Sequence, residues 1–83
     1  MRPVKVDENL WRSSMLPEGL LERWRAEDGQ SVKAGAALAE VRIEDCLHEI
    51  LAPGEGVFLY DASEGDILQP GDRIGWVGDP ETA

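Results

Sequence analysis

At 83 residues the chain has room for one domain, and a domain of this size buries about 60–65% of the surface its unfolded chain exposes, so a deep dedicated cavity would compete with the core. A formal charge of −9 with no basic stripe argues against a phosphate-backbone partner. One cysteine excludes an internal disulfide framework, and no long apolar run suggests a leader or a membrane span; the expectation is a soluble, cytoplasmic, acidic protein.

Residues 1–16 are expected to form an N-terminal strand and edge segment. Trp11 lies there, in Glu8-Asn9-Leu10-Trp11-Arg12. Two roles are open to it: closing one edge of the fold, which is favoured, or standing exposed with Leu10, Met15 and Leu16 as a contact patch.

From Pro17 onward the chain repeats itself. An offset of 36 positions (17 to 53) pairs Pro17 with Pro53, Ala26 with Ala62, Gly29 with Gly65, Gly35 with Gly71 and Val41 with Val77. Conservative pairs fall in the same frame: Trp24 with Tyr60, Asp28 with Glu64, Val32 with Leu68, Leu38 with Ile74. Each half has an acid-Gly step suited to a tight turn, and the apolar runs between turns are too short for helices. Two such units predict a small pseudo-symmetric β structure.

Within the first unit, Leu20 to Trp24 is ambiguous by composition, but its repeat mate, Val57-Phe58-Leu59-Tyr60, is plainly strand-like, so both are read as strands. Leu38 to Glu44 alternates Ala39, Val41 and Ile43 against Glu40, Arg42 and Glu44, the period of a half-buried strand. Cys46 to Ala52 resumes the apolar pattern, so the two runs form a hairpin with its tip at Glu44-Asp45. Ile74-Gly75-Trp76-Val77 gives the last strand, and 79–83 a flexible tail. Trp24 and Trp76 are both expected to pack in the core.

In the order Pro17-Glu18-Gly19, Trp24, Asp28-Gly29-Gln30-Ser31-Val32, Gly35, Leu38-Ala39-Glu40-Val41, Ala52-Pro53, Gly56, Glu64-Gly65-Asp66, Pro70-Gly71-Asp72 and Ile74, the chain resembles the biotinyl/lipoyl attachment domain family. Each motif is common alone; the ordered set is specific. The resemblance implies an all-β fold over residues 17–78, a flattened barrel-sandwich hybrid, or hammerhead, of two small antiparallel sheets related by a quasi-twofold axis.

It also implies a lysine at the hairpin tip, joined through its amine to lipoate or biotin. Counting back from Ala52-Pro53, that position is Asp45, and a carboxylate has no amine to acylate. Lys5 and Lys33 are the chain's lysines; neither lies in the hairpin, and both read as surface residues. The expectation is therefore a lipoyl-like domain that carries no cofactor and is no enzyme itself. It would serve as an interaction or scaffolding module with Glu44, Asp45 and Cys46 as its contact surface. Its partner would be a protein, such as a component of a 2-oxo acid dehydrogenase or biotin-dependent carboxylase system, and neither nucleic acid nor membrane. The alternative is a true carrier of lipoate or biotin with an atypical attachment site, for which Lys33 is the candidate.

Other chemistry at the tip reads as weaker. Asp45, Cys46, His48 and Glu49 are metal-capable types, but alternation sends Cys46 and His48 to one face and Glu49 to the other, so four convergent ligands are not available. Cys46 among carboxylates is expected as a buried or half-buried structural residue, since the surrounding negative charge opposes a reactive thiolate. His48 with an acid nearby lacks a nucleophile or oxyanion pocket to complete a catalytic set. A membrane-fusion or efflux adaptor also uses lysine-free lipoyl-like halves, but those are split at the tip by a long helical hairpin, and here the tip is a short turn.

Overall fold

In the computed structural model, which describes residues 2–12 and 14–78, the repeat reappears as a repeat of strands. β3 (Ser31–Val32) and β7 (Ile67–Leu68) are offset by 36 residues (31 to 67), and so are the starts (37 to 73) of β4 (Ala37–Ile43) and β8 (Arg73–Gly78). β2 (Gly19–Trp24) and β6 (Gly56–Tyr60) open the two halves. The remaining strands, β1 (Arg2–Lys5) and β5 (Cys46–Leu51), occupy corresponding places at sheet edges.

The strands make two four-stranded antiparallel sheets, ordered β1-β8-β6-β3 and β5-β4-β2-β7. Both halves contribute to the core between them. Leu21, Leu38 and Val41 come from the second sheet, and Val4, Phe58, Ile74 and Val77 from the first, all fully or almost fully buried. This is the all-β barrel-sandwich architecture that the family resemblance implied. Residues 79–83, expected as a tail, lie outside the described residues.

The turns show how the halves are fastened. Gly29 and Gly65 adopt φ values of 88° and 94°, in the left-handed region that a side chain makes costly. The acid before each glycine then reaches the opposite half: Tyr60 donates its backbone N–H to Asp28 Oδ1 at 3.0 Å, and Trp24 donates its own to Glu64 Oε2 at 2.9 Å. Donors and acceptors are both repeat mates, so one bond is the quasi-twofold image of the other. Inside the turns the same holds, with Glu27 N–H donating to Gln30 Oε1 and Ser63 N–H to Asp66 Oδ2, each at 2.9 Å. Trp24 and Tyr60 themselves stack across the axis, ring centroids 4.5 Å apart and planes 11° from parallel.

The tryptophans divide differently from expectation. Trp11, at the end of a 3₁₀ turn (Glu8–Trp11) capped by Asp7, is buried, with its ring edge against Gly19. Trp24 is half-buried against the core cluster and donates its indole N–H to the Ala62 carbonyl at 3.2 Å. Trp76 is not core. It stands half-buried in the middle of β8, between Leu59 of β6 and Pro3 of β1 in register, with the Arg73 guanidinium 4.6 Å over its ring. The reason is local: the register with β1 breaks at Ile74, passing from Val4↔Gly75 to Lys5↔Arg73, so Ile74 and Val77 both turn inward while Trp76, out of phase with Val77, is left outside.

Candidate functional site

The hairpin of β4 and β5 pairs from Ala37↔Leu51 at its base to Ile43↔Cys46 at its tip, leaving a two-residue turn of Glu44 and Asp45. Two-residue hairpin loops demand positive φ because their backbone twist must match that of the strands. Glu44 meets that demand at φ 54°, a conformation that costs a side-chain-bearing residue about 1–2 kcal/mol relative to its usual range.

Some of that cost is offset by a contact that the sequence does not announce. Glu44 Oε1 accepts the backbone N–H of Met15 at 3.3 Å, which ties the tip to the loop preceding β2. Within that loop Ser14 Oγ bonds both the N–H and the carbonyl of Leu16, at 3.2 and 3.0 Å. Met15 is 93% exposed and Leu16 56%. The tip therefore has an apolar neighbour 29 residues away in the chain.

Asp45 is fully at the surface of the turn, and its negative charge is felt one residue into β4. There the Arg42 guanidinium is held above its ordinary range, chiefly by its hydrogen bond to Glu22 and that residue's charge, and to a smaller extent by Asp45. The Arg42 Nε to Glu22 Oε1 distance is 2.6 Å. Deeper along the same outer face, Glu40 is buried between Arg23 Nε at 2.7 Å and Arg25 Nη1 at 2.9 Å, so its charge is compensated where solvent cannot reach it.

Cys46 is exposed, not buried or half-buried as expected. Alternation does direct it to the same side as His48 and Ile50, but of these only Ile50 is buried: β5 is an edge strand, and burial fades along it toward the tip while its partner Ile43 on β4 stays in the core. His48 is half-buried and Glu49 exposed on the opposite face. Among the described residues, no three His, Cys, Asp or Glu side chains converge as metal ligands do. The outward face of β5 carries Leu47, 46% exposed, and Leu51, 51% exposed. Both stand at the positions of the strand out of phase with Cys46, His48 and Ile50.

The hairpin offers no amine. Lys33 lies at the other end of β4, in the turn where its carbonyl accepts the Ala36 N–H and Ala36 in turn accepts the Ala52 N–H at the hairpin base. The seven residues of β4 separate that turn from the tip by about 20 Å. A group attached through an amide to a lysine at the tip does not fit the residues present. No described helix is long and apolar enough to cross a membrane.

Compared with known proteins, the chain is 39% identical over 57 residues to an acetyl-CoA carboxylase from Cryptosporiopsis sp., a match that covers 69% of this chain. The chain spans 2% of that carboxylase's length. Among solved structures it superposes on the lipoyl domain of the 2-oxoglutarate dehydrogenase complex from Azotobacter vinelandii with a TM-score of 0.71, covering 92% of this chain and 96% of that one at 19% identity. No family model matches.

Proposed function

We propose that this chain, which has the fold of the biotinyl/lipoyl domain family, is a non-modified domain of that kind, acting as an interaction or scaffolding module in place of a swinging-arm carrier. The observation that carries the reading is the tip itself: an exposed two-residue turn whose residues are Glu44 and Asp45. Acyl transfer to form an amide needs a free amine as nucleophile, and neither carboxylate supplies one. Retention of the fold without the nucleophile points to use of the surface. Glu44, Asp45 and the exposed Cys46 form its polar part, and Met15 and Leu16, held beside the tip by Glu44, form its apolar part.

The two relatives named above suggest the setting: a protein partner within a 2-oxo acid dehydrogenase or a biotin-dependent carboxylase system. In that setting the chain would carry neither lipoate nor biotin and would do no chemistry itself. The carrier alternative would have to use Lys33, on a turn about 20 Å from the tip and joined to the hairpin base, which is a poor place from which to swing a group between sites.

The test is attachment. The wild-type chain and an Asp45→Lys variant are incubated with a lipoate ligase, and separately a biotin ligase, with ATP and the free cofactor, and weighed by mass spectrometry. The wild type is expected to keep its mass while the variant gains one lipoyl or biotinyl group at residue 45. Modification of the wild type at Lys33 would overturn the reading in favour of the carrier.

A further inference from the structure

Two sheets of four strands have four edges, and an unprotected edge is a template for another strand. Three of the four are blunted in this fold. β3 and β7 are two residues long each, too short to pair usefully. β1 carries Pro3, which has no N–H to give, and its Arg2 guanidinium is folded over to the Pro53 carbonyl at 2.9 Å. β5 has none of these protections: it is six residues long, free of proline and glycine, and paired only with β4.

The register says which of its groups are free. The pair flanking a two-residue turn exchanges both hydrogen bonds, and bonded pairs then alternate with non-bonded ones. Ile43↔Cys46, Val41↔His48 and Ala39↔Ile50 are thus the bonded pairs. Leu47, Glu49 and Leu51 direct their N–H and C=O groups away from β4, and among the described residues no other strand or loop takes them up. These same residues put their side chains on the outer face, as an apolar, acidic, apolar series. Among the described residues Glu49 has a single, distant cation, Arg25 Nη1 at 3.8 Å, which is already committed to Glu40 at 2.9 Å. At the far end Leu51 lines a cavity of about 290 Å³ with Pro3, Val4, Lys5, Asp7 and Pro53.

We propose that β5 is a docking edge that takes up an extended basic-apolar segment of a partner protein by antiparallel strand addition. The segment would set an apolar residue beside Leu47, a Lys or Arg beside Glu49 and an apolar residue beside Leu51. This rests on the interaction-module reading and names how the partner is held. Main-chain hydrogen bonds supply the affinity in such a mode, and alternate side chains supply the choice of partner. Charge selects the occupant. A second copy of this chain would bring another −9 to the edge and, if centred on Glu49, would set two carboxylates face to face, whereas a basic strand finds Glu49, Asp45 and Glu44 along its path.

The test uses the 15N-labelled chain and a synthetic capped peptide with the core Val-Thr-Lys-Thr-Val, compared with the same peptide carrying Glu for Lys. Amide exchange at Leu47, Glu49 and Leu51 is expected to slow about ten-fold or more on saturation with the Lys peptide, with no slowing in β3 or β7. Glu49→Lys is expected to weaken that peptide by about five-fold and reverse the preference toward the Glu peptide. No slowing at these amides would overturn the proposal. So would slowing that grows with protein concentration alone, which would mark a second copy as the occupant. Shifts confined to Glu44–Cys46 would leave the tip as a contact surface and remove strand addition. Failure of the underlying reading is read separately, as a mass increment on Lys33 with no peptide present.

Discussion

Two regions of this fold treat their polar groups differently. Around Trp24 and Tyr60 the repeat is obeyed bond for bond, with stacked mates and reciprocal carboxylate caps from Asp28 and Glu64. The β4–β5 hairpin has a turn with Glu44 in a left-handed conformation, an exposed Cys46, and an outer face with exposed leucines. The first region joins the two halves through those bonds. The second leaves backbone and charge unspent, which is what an interaction surface requires.

Mutations can sharpen this contrast. The largest effect is expected from Phe58→Ala, which removes a fully buried ring that packs on both Trp24 and Tyr60 and should destabilise by about 3–5 kcal/mol in denaturant unfolding. Asp28→Ala and Glu64→Ala each orphan one backbone N–H and should cost about 1 kcal/mol apiece. If one cost several times the other, the two caps would not be energetic equivalents despite their shared geometry. At the other end, Glu44→Gly relieves the left-handed turn while losing the Met15 contact, so a gain of about 0.5 kcal/mol is expected from the same unfolding measurement. Smallest is Asp45→Lys, expected to stay within about 0.5 kcal/mol of the wild type; a larger loss would mean that the tip carries stability as well as recognition.

Much of the fold was legible because turns are written in a small alphabet. Gly29 and Gly65, Asp28 and Glu64, and the 36-residue offset (29 to 65) located the strands and the axis before any coordinates. The position of Asp45 followed from counting back from Ala52-Pro53 on the family resemblance, and the hairpin register puts that residue in the two-residue turn. Two side chains were misjudged, each for a physical reason. Trp76 was assigned to the core on size, but Ile74 and Val77 fill the inward positions of β8 and leave it under Arg73. Negative charge around Cys46 argued for a buried or half-buried structural thiol, but β5 is an edge strand and the core reaches Ile43 on β4 without extending to its partner Cys46. The Glu44–Met15 bond was not legible at all, since it joins residues 29 apart in sequence through a loop with no periodic pattern. Nor was the free edge of β5, because which strands lie at an edge is decided by sheet order, and no local run of residues encodes that.

The apex of this hairpin presents carboxylates and offers no amine to a cofactor. The intact mass of the chain isolated from the cells that make it, with peptide mapping of Lys5 and Lys33, decides between a bare module and a carrier. The bare mass with both lysines free is expected; a lipoyl or biotinyl group on either one would make the chain a carrier.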